Sequence, residues 1–184
     1  MLIVLEGLVM SFWLLLICVV GIAKEGPVGL VNFYEKDAQE RVVELGLTTK
    51  EKIKKAATIS GIALIVPLIT VVPAVVYLYN GVTGFWDGFI QLLSIYMIMN
   101  VFDRLFIDEW WVNHTRAWII PGTEDLMPYV DGKVRIRKWT VSLIMVPALA
   151  AIIAGVMQVR LGSQMLIFFG HLANYSWCVA KLDA

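Results

Sequence analysis

Four stretches of this chain are long and apolar enough to cross a bilayer, and that limits the fold more than any other feature. A hydrocarbon core is about 30 Å thick, so a helix rising about 1.5 Å per residue needs about 20 mostly apolar residues to span it. The stretches cover residues 2–23, 56–79, 84–106 and 140–159, and Glu6 is the single charge inside the first. Between the second and third lies only the turn Asn80-Gly81-Val82-Thr83-Gly84, whose Asn and Gly residues tolerate positive φ, so those two form an antiparallel hairpin. Composition agrees: 59% of residues are hydrophobic and 16% charged, against about 45–50% and about 25% in soluble domains. A soluble globular enzyme is therefore not the expectation. The expected fold is all-α, one integral membrane domain built as a four-helix bundle.

Orientation follows from the cations, which accumulate on the cytoplasmic side of a membrane. Thirteen of the 15 Lys and Arg residues lie between residues 24 and 55 or between 104 and 138. The loops 24–55 and 107–139 are accordingly expected in the cytoplasm, with the N-terminus outside and the chain in the inner membrane. Tyr77, Tyr79 and Trp86 then mark one interface, and Trp110, Trp111, Trp118 and Trp139 the other. No Lys or Arg precedes Lys24, so the first segment reads as a retained helix and not as a signal peptide. Pro67, Pro73 and Pro147 lie inside spans, where each frees a carbonyl that neighbours must satisfy. The tail 160–184, with its apolar run 164–180, reads as an outer interfacial or re-entrant helix.

The 15 cations and 15 carboxylates cancel, which leaves no net field to gather nucleic acid, and none is expected as a partner. Cys18 and Cys178 have no CxxC spacing, and His114 and His171 fall at different depths. No metal or cofactor is expected from them.

Polar chemistry concentrates in the two long loops. Glu35 to Leu45 reads as a short amphipathic helix with Ala38, Val42 and Leu45 on one face and Gly46 as its stop. Thr48 and Glu51 fit a capping box that starts a helix running into the second span. That places Lys50, Lys52, Lys54 and Lys55 among the inner headgroups. Past Phe106, helical spacing puts Asn100, Asp103, Ile107, Trp110 and His114 on one stripe and Arg104, Asp108 and Trp111 on the next. Pro121-Gly122 reads as a turn followed by a cap at Thr123, and Asp131-Gly132 as a turn joining two strands in a short β-hairpin near 127–137.

The leading functional reading is a scaffold whose two loops pack into a small cytoplasmic cap and dock a protein or lipid partner without turnover. Its candidate binding residues are Gln39, Glu40, Arg41 and Glu44, together with Asp103, Arg104, Asp108, His114, Thr123 and Glu124. Arg41 is expected to pair with Asp103 or Asp108, since a guanidinium holds a carboxylate with two parallel hydrogen bonds. Arg116 is expected to pair with Glu124 or Asp125. One alternative is a transporter or channel component using Glu6, Asp87, Gln91 and Ser94 outside and Asn100 and Asp103 inside. On one helix these sets face nearly opposite ways, so that reading needs a homo-oligomer. A second alternative is a metal-dependent membrane hydrolase acting on lipid through Asp103, Asp108, Glu109 and His114, although no HExxH set is present. Nucleophile elbows, phosphate loops and dinucleotide fingerprints are absent from the sequence.

Residues 39–48 read QERVVELGLT and residues 120–124 read IPGTE. In these segments, and in the acidic pair Asp103 and Asp108, the chain resembles an uncharacterised family of bacterial four-span membrane proteins with QERxxELGLT and IPGTE segments. The resemblance covers roughly residues 1–160. It implies four spans and functional weight in the two loops, and supplies no reaction. The chain departs from the pattern at Glu109, which separates Asp108 from Trp110, and in lacking a histidine near the start of the fourth span, where GKVRIRKW stands.

Overall fold

A computed structural model describes residues 2–180, with side chains over 2–160. It is helical throughout, with no strand among the described residues. Helix α1 spans Leu2–Glu25, and Gly26–Phe33 continues as 3-10 turns. The helices that follow are α2 (Lys36–Glu44), α3 (Lys50–Ile69), α4 (Val71–Ala74), α5 (Phe85–Phe102) and α6 (Gly132–Ala180). Among the described residues, four helical runs have the length and apolarity to cross a membrane: Leu2–Phe33, Lys50–Tyr79, Phe85–Val112 and Gly132–Arg160. Their outward faces carry Val4, Val9, Phe12, Ile62, Ile144 and Val156 exposed, a surface suited to lipid and not to water. The chain is thus a multi-pass membrane protein in architecture. Expectations about the tail 160–184 lie outside the residues whose side chains are described.

Helix α5 is the centre, with α1 and α6 packed against it. On α1 the buried residues are Gly7, Met10, Ser11, Leu14 and Cys18, a single stripe at helical spacing. Glycine is required where the two helices come closest: a Cβ on Gly7 would stand 2.7 Å from Ile98 Cβ. In the same stripe the Ser11 hydroxyl turns back onto the Gly7 carbonyl at 2.8 Å, which satisfies its buried donor within α1.

The proline-bearing span shows how freed backbone groups are satisfied. Pro67 cannot donate to the carbonyl four residues earlier, that of Ala63. The Trp13 indole on α1 donates to that oxygen instead, at 3.0 Å. The helix breaks at Thr70, whose hydroxyl donates back to Val66 O at 2.6 Å. Beside the break, the Tyr96 hydroxyl on α5 donates to Leu68 O at 2.7 Å. After Pro73 the chain widens into a π-turn over Val75–Tyr79 before the hairpin turn.

Two apolar cores result among the described residues. One lies around Leu92, Ile95 and Tyr96, near the hairpin. The other joins Leu30, Val31, Tyr34, Val42, Trp118 and Ile120. In this second core the segment 26–45 and the segment 107–130 interlock, although far apart in sequence. Leu64 and Met99 pack against both cores and tie them together.

Three expectations are corrected. The β-hairpin near 127–137 does not form, because Asp131 accepts from Val134 N at 2.7 Å and so caps α6, which draws Lys133 to Lys138 into helix. Helix α3 is capped by Thr49, which accepts from Lys52 N at 3.3 Å, so the Thr48–Glu51 box is displaced by one residue. Beyond Phe102 the third span continues as a ten-residue π-helix, Asp103–Val112, in place of ordinary α-helix.

Candidate functional site

The π-helical turn is wider than an α-turn, and it gathers both expected stripes onto one face. Asp103, Arg104, Ile107, Asp108 and Val112 all border a cavity of about 410 Å³ beneath the interlocked loops. Trp110 and His114 leave that face and are exposed. His114 instead holds its Nδ1 2.8 Å from the Glu109 carbonyl.

A compact ion network closes one wall. Arg104 lies 3.1 Å from Asp103 and bonds Asp108 one turn on, while Lys138 of α6 donates to the other Asp108 oxygen at 2.7 Å. Asp108 is 7% exposed, so each charge here depends on its neighbours for solvation. Arg104 also reaches the Ser142 hydroxyl, one turn beyond Lys138, at 3.4 Å. At the more exposed edge, Arg135 of α6 meets Glu109 of the same π-helix at 2.9 Å, and Arg137 of α6 meets Glu35.

Aromatic residues form the roof. The Tyr34 hydroxyl donates to Trp118 O at 2.6 Å, and its ring lies edge-on to Tyr129 with centroids 4.8 Å apart. Burial pushes the Tyr34 phenol well above its ordinary pKa, so it stays protonated as a donor. The Trp111 and Trp118 rings meet edge to face at 5.3 Å. Asn113 clamps Val130 from both sides, its amide donating to Val130 O at 3.0 Å and accepting from Val130 N at 3.2 Å.

The IPGT segment folds by its own short-range chemistry. Gly122 takes φ 86°, a left-handed backbone that favours glycine. Thr123, wholly buried, shares a 2.7 Å hydrogen bond with the Tyr129 hydroxyl and donates to Ile120 O at 2.9 Å. Glu124 accepts from Gly122 N at 2.8 Å.

Nine of the ten residues singled out from sequence therefore separate into three groups, and Arg41 stands apart from them. Asp103, Arg104 and Asp108 meet at the cavity wall. Gln39, Thr123 and Glu124 are struts: Gln39 donates to Tyr34 O at 2.8 Å, which fixes α2 against the 26–33 segment. Glu40, Glu44 and His114 face outward. Arg41 does not reach Asp103 or Asp108 and meets Asp125 at 3.5 Å, since α2 turns it toward the exposed rim while Arg104 and Lys138 already occupy Asp108. The ion pairs found among the described residues do not join Arg116 to Glu124 or Asp125. Sequence reading missed Tyr34, Tyr129 and Ser142 and gave Lys138 and Trp118 only general interfacial roles. Asn100, a buried amide at the inner end of an apolar span, is the sequence signal that could have pointed to the cavity.

The hydrolase and transport sets do not assemble in the same way. Among the described residues, no three of His, Cys, Asp and Glu converge closely enough to hold a metal ion. Glu6, Asn80 and Gln91 do meet, with the Asn80 amide 3.0 Å from Glu6 and 3.2 Å from Gln91. That cluster is separated from Asn100 and Asp103 by the buried apolar faces of Leu92 and Ile95.

Compared with protein-family models, with curated proteins and with solved structures, the chain matches none.

Proposed function

We propose that this is a multi-pass inner-membrane protein whose two long loops lie in the cytoplasm and form one rigid cap that docks a partner, without turnover. The observation that carries the reading is the shared core of Tyr34, Trp118 and Tyr129, which makes a single body of two loops holding most of the chain's cations. Lys and Arg cross membranes poorly, so a body holding both cation-rich loops belongs on the cytoplasmic side. Its outer rim presents Glu40, Glu44, Glu124 and Asp125, all exposed, as a polar docking face. The apolar layer between the two polar clusters favours this reading over transport through one copy.

Cysteines introduced at positions 40 and 124, in a chain with Cys18 and Cys178 replaced by serine, test it. A membrane-impermeant maleimide is expected to label both only after the cells are permeabilised. Labelling in intact cells overturns the assignment of the cap to the cytoplasm. A native pull-down in mild detergent is expected to recover a partner with the unaltered chain and to lose it when Glu40, Glu44 and Glu124 become alanine.

A further inference from the structure

The cavity beneath the cap has chemistry that neither the scaffold reading nor the ion network uses. Four residues bordering it each bury a polar atom with no hydrogen-bond partner among the described residues: Asn32 Oδ1, Asn100 Nδ2, Arg104 Nε and Trp118 Nε1. Trp118 is 2% exposed and Asn100 6%, so bulk water does not serve them. A buried group of this kind is costly to leave without a partner. Four around one space of about 410 Å³, a size within the range of ligand pockets, describe a prepared site.

The donor pattern specifies the ligand. Three of the four atoms are N–H donors and one is an acceptor, so the ligand's head must be rich in acceptor oxygens. The head must also be uncharged. Both cations at the wall, Arg104 and Lys138, are already held by Asp103 and Asp108, and an anionic head would meet those two carboxylates with no further cation among the described residues that line the cavity. Apart from Glu35, which pairs with Arg137, and the Tyr34 and Tyr129 hydroxyls, the rest of the lining is apolar, including Leu14, Leu64, Met99 and Val130 from α1, α3, α5 and the roof.

We propose that this cavity binds an uncharged molecule from the lipid phase whose carbonyl oxygens accept from Asn100, Arg104 and Trp118. Two sources share that chemistry, an acylglycerol ester and an isoprenoid quinone. The proposal rests on the membrane architecture and not on which side the cap faces.

The test uses the full chain in lipid nanodiscs, where both faces are accessible, so a failed topology assignment does not affect it. Three probes are titrated against tryptophan fluorescence: a diacylglycerol with a brominated acyl chain, a short-chain quinone, and a brominated phosphatidylglycerol. One uncharged probe is expected to quench saturably, and which of the two does so names the source. Brominated phosphatidylglycerol is expected to give only the weak, non-saturating quenching of bulk lipid. Trp118→Phe removes one N–H but keeps an aromatic ring, a smaller one, and Asn100→Leu removes another while filling space. Each is expected to weaken binding about tenfold, the loss of one hydrogen bond. Native mass spectrometry of the same variants reads the bound molecule directly, and a normal melting curve confirms that they fold. Saturable phosphatidylglycerol binding overturns the uncharged head. Binding unchanged in both variants, or a folded chain that binds neither uncharged probe and holds only water, overturns the site.

Discussion

Asp108 is the residue on which most of the inner polar network turns. It accepts from Arg104 on its own helix and from Lys138 on α6, so Asp108→Asn leaves two partly buried cations competing for a neutral amide. Breaking such a network is expected to cost about 3 kcal/mol. Thermal unfolding in detergent checks this, and an unchanged melting temperature refutes it. Tyr34 is the corresponding residue of the roof. Tyr34→Phe deletes the donor to the Trp118 carbonyl and is expected to cost about 1–3 kcal/mol. Its pH signature has a definite sign. The phenol ionises near 10 when unfolded and higher when buried. The stability it contributes is therefore complete below about pH 10 and lost as pH rises beyond that. Alkaline unfolding of Tyr34→Phe is expected to be shallower than that of the unaltered chain, and equal slopes would count against a buried donor phenol.

Helix lengths and the hairpin were legible because the length of an apolar run is insensitive to how the helix bends. The fourth span was harder. KVRIR alternates apolar and charged residues, a strand-like pattern, yet in a membrane both the inward and outward sides of a helix are apolar. Val134 borders the cavity while Ile136 is 69% exposed, so the alternation carried no information about period. The π-turn at 103–112 was illegible for another reason: an α-helix reads identically in sequence, and the extra residue per turn shows only once α6 supplies Lys138 and Ser142. Arg41 was misassigned because spacing alone does not show which carboxylates are already taken. The proline break makes a prediction of its own. Trp13→Phe is expected to cost about 1 kcal/mol by orphaning the Ala63 carbonyl. In a Pro67→Ala background, where the backbone can pair that carbonyl again, the same change is expected to cost less. A double-mutant cycle on melting temperature measures the difference, and additivity would show that the indole is not serving the proline.

For the molecule as a whole, the consequence of one shared core is that the two loops loosen together. Trp118→Ala removes a wholly enclosed indole, and a change of that kind costs about 3–5 kcal/mol. Hydrogen exchange is expected to rise in residues 26–45 as well as around the substituted position, while the core near Leu92 and Tyr96 stays protected. A rise confined to 113–131 would mean that the loops are independent bodies. The bend in the second span bears on assembly of the bundle in a related way. Because an indole from α1 covers the oxygen that Pro67 leaves bare, that helix is favoured in the one rotation that turns Ala63 toward Trp13. Turned to any other angle during insertion, it would carry an unpaired dipole into hydrocarbon. The proline thus acts as a key, and the tryptophan opposite is the lock that tells the first two spans how to face each other.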